Sequence, residues 1–161
     1  MSAKRWKTWC AAKQLHRFCN GYMRTLLIWV WCGVFLSGVT FTSPASAGQF
    51  EQDLLVRINS YRAAHKLQPL AASDVLEDLA RKHSREMEKS GNLSHDGFKE
   101  RFERSGSHAC VENVGWNHET SLSQFTGWKS SPGHDKNMLS KQITKAGIDK
   151  TGPYVTFFAC K

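Results

Sequence analysis

Acidic residues are missing from the first 47 positions, which hold six Lys or Arg and no Asp or Glu. The remaining 114 residues carry sixteen basic against fourteen acidic side chains, so the chain's formal +8 belongs mostly to its amino-terminal segment. With neither a basic cluster nor a nucleic-acid-binding motif in the rest, partnership with nucleic acid is excluded as a reading. Long apolar runs are also scarce. The longest, Leu26 to Leu36, has eleven apolar or small residues, whereas a bilayer span needs roughly 20. Internal repeats, low-complexity tracts and interdomain linkers are absent, as are the short catalytic and metal signatures HExxH, CxxC and GxSxG.

What is present in residues 1–47 has the order of a secretory signal. Basic residues precede the apolar run, and Ala45, Ser46 and Ala47 form the small-x-small pattern of a cleavage site between Ala47 and Gly48. The section before Met23 is long, so either translation starts at Met23 or the basic region is extended; an uncleaved anchor is the alternative to both. Residues 48–161 then form one extracytoplasmic domain, with no stable membrane span after processing. Cys110 and Cys160 are the only cysteines beyond the cut. In an oxidising compartment they read most simply as one disulfide, with a pair of buried free thiols as the other reading.

Periodicity gives the elements. Phe50, Leu54, Ile58, Tyr61 and His65, widened by Leu55 and Arg62, predict a helix ending near residues 66–68, before Pro69. A second helix runs from a capping box at Asp74 and Glu77 to Gly91, with Leu76, Leu79, Ala80, His83 and Met87 inward. Asp96 is placed to cap a short helix over Phe98 to Arg104. Cys110 to Trp116 reads as a strand. Ser121 to Lys129 reads as a helix burying Leu122, Phe125 and Trp128, and Ser131 with Pro132 starts another. Residues 143–148 and 154–160 predict a hairpin around a turn of four or five residues, the last strand lying well inside a small sheet. Helices first and strands later predict an α+β domain.

Polar residues suited to chemistry gather in three segments: Ser94, His95 and Asp96; Glu112 and Asn113; Ser131, Gly133, His134 and Asn137. Two imidazoles and a carboxylate suit a divalent metal such as zinc. The bland alternatives are a turn histidine at 95, an arginine salt bridge at Glu112 and a surface histidine at 134. A Ser-His-Asp arrangement built on Ser94 or Ser131 has no nucleophile elbow to support it. His83 reads as a hydrogen-bonded core residue, while His65, His108 and His118 read as solvent-facing. Asn59 and Arg62, one turn apart, read as architecture, with Asn59 fastening a loop and Arg62 pairing with a carboxylate.

Taken together, INSYRAAHKLQPL from Ile58, LEDLARKHSREM from Leu76, LSHDGFKER from Leu93, VENVGW from Val111, GWKSSPGHDKNML from Gly127 and the AGI and YVTFFAC pieces resemble the bacterial branch of the CAP superfamily. This is the cysteine-rich secretory protein, antigen 5 and pathogenesis-related 1 group. The resemblance spans nearly all of residues 50–160. It implies a three-layer α-β-α sandwich with a small, mostly antiparallel sheet, an extracytoplasmic location, and a cleft lined by two histidines and two acids, often able to hold zinc or another divalent cation. Carried over, those residues are His95, Glu112 and His134; the fourth position is Ser131, not an acid, and Val111 stands where the family usually has glycine. Asp135 and Glu119 are candidate substitutes for the missing acid. Asn113, Asn137 and Trp128 are assigned structural roles. The expected function is a secreted, non-enzymatic domain whose cleft binds a lipid, envelope component or protein, with or without a divalent cation. The alternative is a metal-assisted hydrolase of peptide or cell-wall material, with Glu112 positioning or deprotonating a water.

Overall fold

The structure is a computed structural model that describes residues 48–161; the leader and its cleavage site lie outside the described residues. Nine elements follow in order: α1 (Gln49–Ala64), β1 (Ala71–Ala72), α2 (Asp74–Ser90), α3 (Phe98–Arg104), β2 (Cys110–Trp116), α4 (Ser121–Lys129), α5 (Pro132–Met138), β3 (Lys145–Thr151) and β4 (Tyr154–Cys160). The strands form one sheet in the order β1-β3-β4-β2. β1 runs parallel to β3, and β4 is antiparallel to both its neighbours. The fold is thus α+β, with helices against both faces of a small sheet.

Each face has its own apolar cluster. On one, Leu54, Ile58, Trp128 and Met138 from α1, α4 and α5 pack with Ala146, Ile148, Val155, Phe157 and Ala159. On the other, Leu76, Leu79 and Ala80 of α2 pack with Phe158 and Cys160, and Phe98 of α3 joins them. Strand alternation explains the split, because successive residues of β4 face opposite layers. β4 is buried along its whole length, which accounts for its run of aromatic and β-branched residues. Gly147 of β3 lies so close to the α2 backbone at Leu76 and Glu77 that any side chain there would meet main chain. This glycine lets α2 settle directly on the sheet.

Helix ends depart from expectation in two places. Ser73, not Asp74, is the N-cap of α2, and neither Ser73 nor Asp96 makes a side-chain cap bond. Glu77 reaches outward to Arg81 instead of back to the helix start, and Gly97, in the left-handed region, precedes α3. At the far end of α2 the expected stop is present. Gly91 has φ of 66°, and Gly91 and Asn92 donate to the Glu88 and Met87 carbonyls as in a Schellman motif.

Three further corrections concern register. The hairpin turn is two residues, Gly152 and Pro153, with the strands extending to Thr151 and Tyr154, because Gly152 accepts a φ of 55° and tightens the loop. In α4 Trp128 is buried and Phe125 packs half-buried on the core as expected, but Leu122 is 53% exposed and Ser121 and Gln124 take the remaining inward positions. β1, two alanines, carried no periodic signal and was missed. The disulfide between Cys110 and Cys160 is present, joining residues directly paired across β2 and β4.

Candidate functional site

β2 is the last strand of the sheet, so its outer edge would present unpaired backbone groups. Side chains from α4 and α5 take the place of a fifth strand. Asn137 donates to the Glu112 carbonyl (3.0 Å) and Trp128 Nε1 donates to the Val114 carbonyl (2.9 Å). Asn113, fully buried, accepts from Asn137 (2.9 Å) and donates to the His134 carbonyl (3.0 Å). These bonds fix α5, and with it His134, against the strand that carries Glu112.

Glu112 points to the other layer, where α2 and α3 surround it. Its side chain is 1% exposed. Arg101 of α3 grips both carboxylate oxygens, Nε donating to Oε2 at 2.8 Å and one terminal nitrogen to Oε1 at 2.9 Å. The same guanidinium ties down the preceding loop by donating to the Asp96 carbonyl at 2.7 Å. His95 Nδ1 lies 2.8 Å from Oε1, and His83 Nε2 is 3.9 Å from the same oxygen. Burial alone would raise the Glu112 pKa. The hydrogen bonds from His95 and Arg101, with the Arg101 charge and the nearby His83 ring, outweigh it and hold the carboxyl below its ordinary range.

An ionised carboxylate only accepts, so the proton between Glu112 and His95 resides on His95 Nδ1. That fixes the tautomer of the neutral ring, in which Nε2 is the bare nitrogen; the side chain is 51% exposed. His83 is settled by the same logic. Its Nε2 lies 2.8 Å from the Ser94 carbonyl, which can only accept, so Nε2 carries the proton and the buried Nδ1 has no hydrogen-bond partner among the described residues. His134 is half-buried, its ring centroid 6.4 Å from that of Trp128. Burial lowers its pKa, and the neighbouring His95 lowers it further, so the His134 imidazole favours the neutral form at neutral pH.

The expected site residues therefore divide. His95 and Glu112 are in direct contact, and His134 is fastened beside the same strand. Asp135 lies near Tyr61, whose pKa is raised by burial and then by that carboxylate, and its buried Oδ1 has no hydrogen-bond partner among the described residues. Glu119 is exposed. Asn59 clasps the chain at Leu70, donating to its carbonyl (3.0 Å) and accepting from its N–H (2.8 Å). Arg62 pairs with no carboxylate; it is buried and donates to the carbonyls of Gln68, Met138 and Ser140 at 2.8 to 2.9 Å. Its guanidinium thus satisfies the end of α5 and the turn beyond it. His65 and His108 are exposed, but His118 is half-buried, its ring resting on Gly127. Sequence reasoning missed Arg101. Its one signal was the arginine salt bridge held open as the bland reading of Glu112.

A divalent cation was expected to draw on His95, Glu112 and His134. Among the described residues no group of three or more His, Cys, Asp or Glu is placed to hold a metal ion. The donor chemistry says why these three do not fit a three-ligand site as they stand. Both Glu112 oxygens are already engaged by Arg101, and Oε1 by His95 as well. What the arrangement can do is present His95 as an oriented imidazole above a charge-balanced floor. That is a buried His/Glu/Arg cluster of the kind a CAP-domain cleft contains.

Comparison with known proteins agrees with the geometry. A sequence model described as "CAP: Cysteine-rich secretory protein family" matches residues 55–157. A Bacillus subtilis (strain 168) protein, YkwD, is 24% identical over 119 residues, covering 70% of this chain and 46% of that protein. Among solved structures, an extracellular protein containing an SCP domain from Bacillus anthracis str. Ames is 27% identical with a TM-score of 0.64, over 74% of this chain and 44% of that one. Two at 18% identity share the fold. A cysteine-rich secretory protein from Staphylococcus aureus subsp. aureus Mu50 has a TM-score of 0.65, covering 71% of this chain and 38% of that one. An outer surface protein from Borrelia burgdorferi has a TM-score of 0.62, covering 68% and 91%. The chain spans less than half the length of the two Bacillus proteins. The likeness to an extracellular protein supports a secreted or extracytoplasmic location, and no helix among the described residues is long and apolar enough to cross a membrane.

Proposed function

This chain belongs to the CAP, or cysteine-rich secretory protein, family, and we propose that it is an extracytoplasmic, non-enzymatic domain whose His95–Glu112–His134 cleft binds a lipid, an envelope component or a protein. The observation that carries this reading is the construction around His95. A carboxylate fixes one ring nitrogen, a guanidinium neutralises that carboxylate, and the side chain is half exposed. Such a ring is rigid and exposed, which is what recognition of a hydroxyl or amide donor needs. His134, held through Asn113, supplies a second contact from the opposite layer.

The test is an NMR titration of histidine-labelled protein with three probes: anionic phospholipid micelles, soluble muropeptides and sterol in detergent. Saturable shifts of the His95 and His134 rings with at least one of them, lost in His95→Ala, are expected. Silence of both rings to all three sinks the reading.

The His95–Glu112 contact also favours a second reading, a hydrolase of peptide or cell-wall material in which His95 is the general base. Glu112 then orients the base and does not itself deprotonate water, because Arg101 occupies it. Turnover of a peptide or peptidoglycan panel that disappears in His95→Ala and survives only weakly in Glu112→Gln is the signature of that chemistry.

A further inference from the structure

Glu112 is the only carboxylate that β2 contributes to the cleft, and its negative charge is spent inside the protein. Arg101 closes a two-point fork on it at 2.8 and 2.9 Å, and His95 Nδ1–H takes a further lone pair of Oε1. Arg101 is itself fastened at a third point, the Asp96 carbonyl, 2.7 Å away, and its side chain is only 7% exposed. Two parallel bonds within one planar fork are the strongest form of this ion pair. The fourth cleft position is Ser131. The floor beneath the two imidazoles thus carries one fixed negative and one fixed positive charge.

We infer that Arg101 is a selectivity-determining residue, which by locking Glu112 keeps this cleft from taking divalent cations tightly and leaves it to neutral ligands bearing hydrogen-bond donors. A divalent cation needs either a negatively charged ligand or a preorganised set of at least three donors. Here it would find two imidazoles and, behind them, a guanidinium that repels it. Arg101 touches neither ring directly. It acts through Glu112 and is a positioning residue.

This inference rests on the reading of the cleft as a binding site, and its test is separate. Zinc binding is measured calorimetrically at neutral pH on the purified protein, with cobalt substituted to read ligand number from its visible absorption. Wild-type protein should bind zinc weakly, and Glu112→Gln should change that little. Arg101→Gln frees the carboxylate and should tighten binding by at least about tenfold, the scale on which one neighbouring charge or shell residue moves a metal site. Cobalt absorption should strengthen as a third ligand joins. Arg101→Lys, whose ammonium can hold one oxygen but not both, should fall between wild type and Arg101→Gln. It keeps the buried charge and so remains informative where Arg101→Gln folds poorly. In the double variant Arg101→Gln/Glu112→Gln the gain should vanish.

Tight zinc binding by the wild type that is lost in Glu112→Gln overturns the inference, since Glu112 would then be a ligand despite Arg101. So does an Arg101→Lys protein that is folded and binds no tighter than wild type. Either result leaves the histidine shifts with organic ligands untouched, and silence of those rings to organic ligands leaves the zinc ordering untouched.

Discussion

Replacing Glu112 with glutamine keeps the side chain's shape and removes its charge, which isolates the electrostatic part of the cluster. In the wild type the carboxylate accepts three hydrogen bonds, two from Arg101 and one from His95. The amide of Glu112→Gln has one accepting oxygen and directs an NH2 group toward donors. Arg101, nearly buried, is left without a counter-charge. Breaking a buried ion pair by removing one partner typically costs about 3 to 5 kcal/mol. For a domain of this size about 1 kcal/mol corresponds to roughly 4 °C in Tm, so a fall of about 12 to 20 °C is expected at neutral pH. The pH dependence is sharper evidence than the magnitude. The folded Glu112 pKa is depressed, so its contribution is complete above the ordinary carboxylate value and is lost as pH falls through the lower folded one. Thermal unfolding followed by near-ultraviolet circular dichroism, on both proteins from neutral pH into acid, should show curves that lie far apart near neutrality and converge in acid. A constant gap at all pH values, or a gap under about 1 kcal/mol at neutral pH, would falsify the assignment of Glu112 as an ionised, Arg101-locked carboxylate.

Three other expectations follow from single observations. The His134 pKa is lowered in the fold, so the unfolded chain takes up the proton first. Stability should decline as pH drops below the ordinary histidine value near 6.5, level off below the folded value, and show no such step in His134→Gln; equal slopes in the two proteins refute it. Cys110 and Cys160 are 50 residues apart in sequence, which on the loop-entropy argument stabilises the fold by about 4 kcal/mol. The Cys110→Ala/Cys160→Ala protein should unfold at correspondingly lower urea, and an unchanged midpoint contradicts the estimate. Gln124 is fully buried with neither amide atom hydrogen-bonded among the described residues, an arrangement that costs about 1 to 3 kcal/mol. Gln124→Met should accordingly raise Tm or leave it unchanged, whereas a drop of several degrees points to a hidden partner.

Elements with a strong period and an apolar face were legible from residues alone. β2 was read at its observed bounds because it lies between loop residues on both sides, and α2 was read to within one residue at its start because its stripe is continuous and ends in Gly91. The failures have a common cause in that each was decided by tertiary contact. In α4 Trp128 and Phe125 pack as expected, whereas Leu122 faces out and Ser121 and Gln124 are buried in its place, a choice that nothing local marks. β1 exists only because β3 offers an edge to two alanines. Asp96 and Asp74 have the right chemistry for caps, but the chain enters those helices through Gly97 and Ser73.

The site shows the same division at finer scale. His95, Glu112 and His134 could be chosen as residues suited to one cleft, but their roles could not be assigned, since a role depends on what occupies the other side of each atom. Arg101 lies in FKERFER among four other charged side chains, and no spacing rule separates it from Lys99 or Arg104. What distinguishes it is that α3 packs Phe98 against Phe158, and residue 101, one turn later, then falls on the same face, over the strand position paired with Phe158, which is Glu112. The aromatic contact that docks α3 therefore also delivers the guanidinium. The packing of α3 and the chemistry of the cleft are one event, so a substitution such as Phe98→Ala should disturb His95 without touching it.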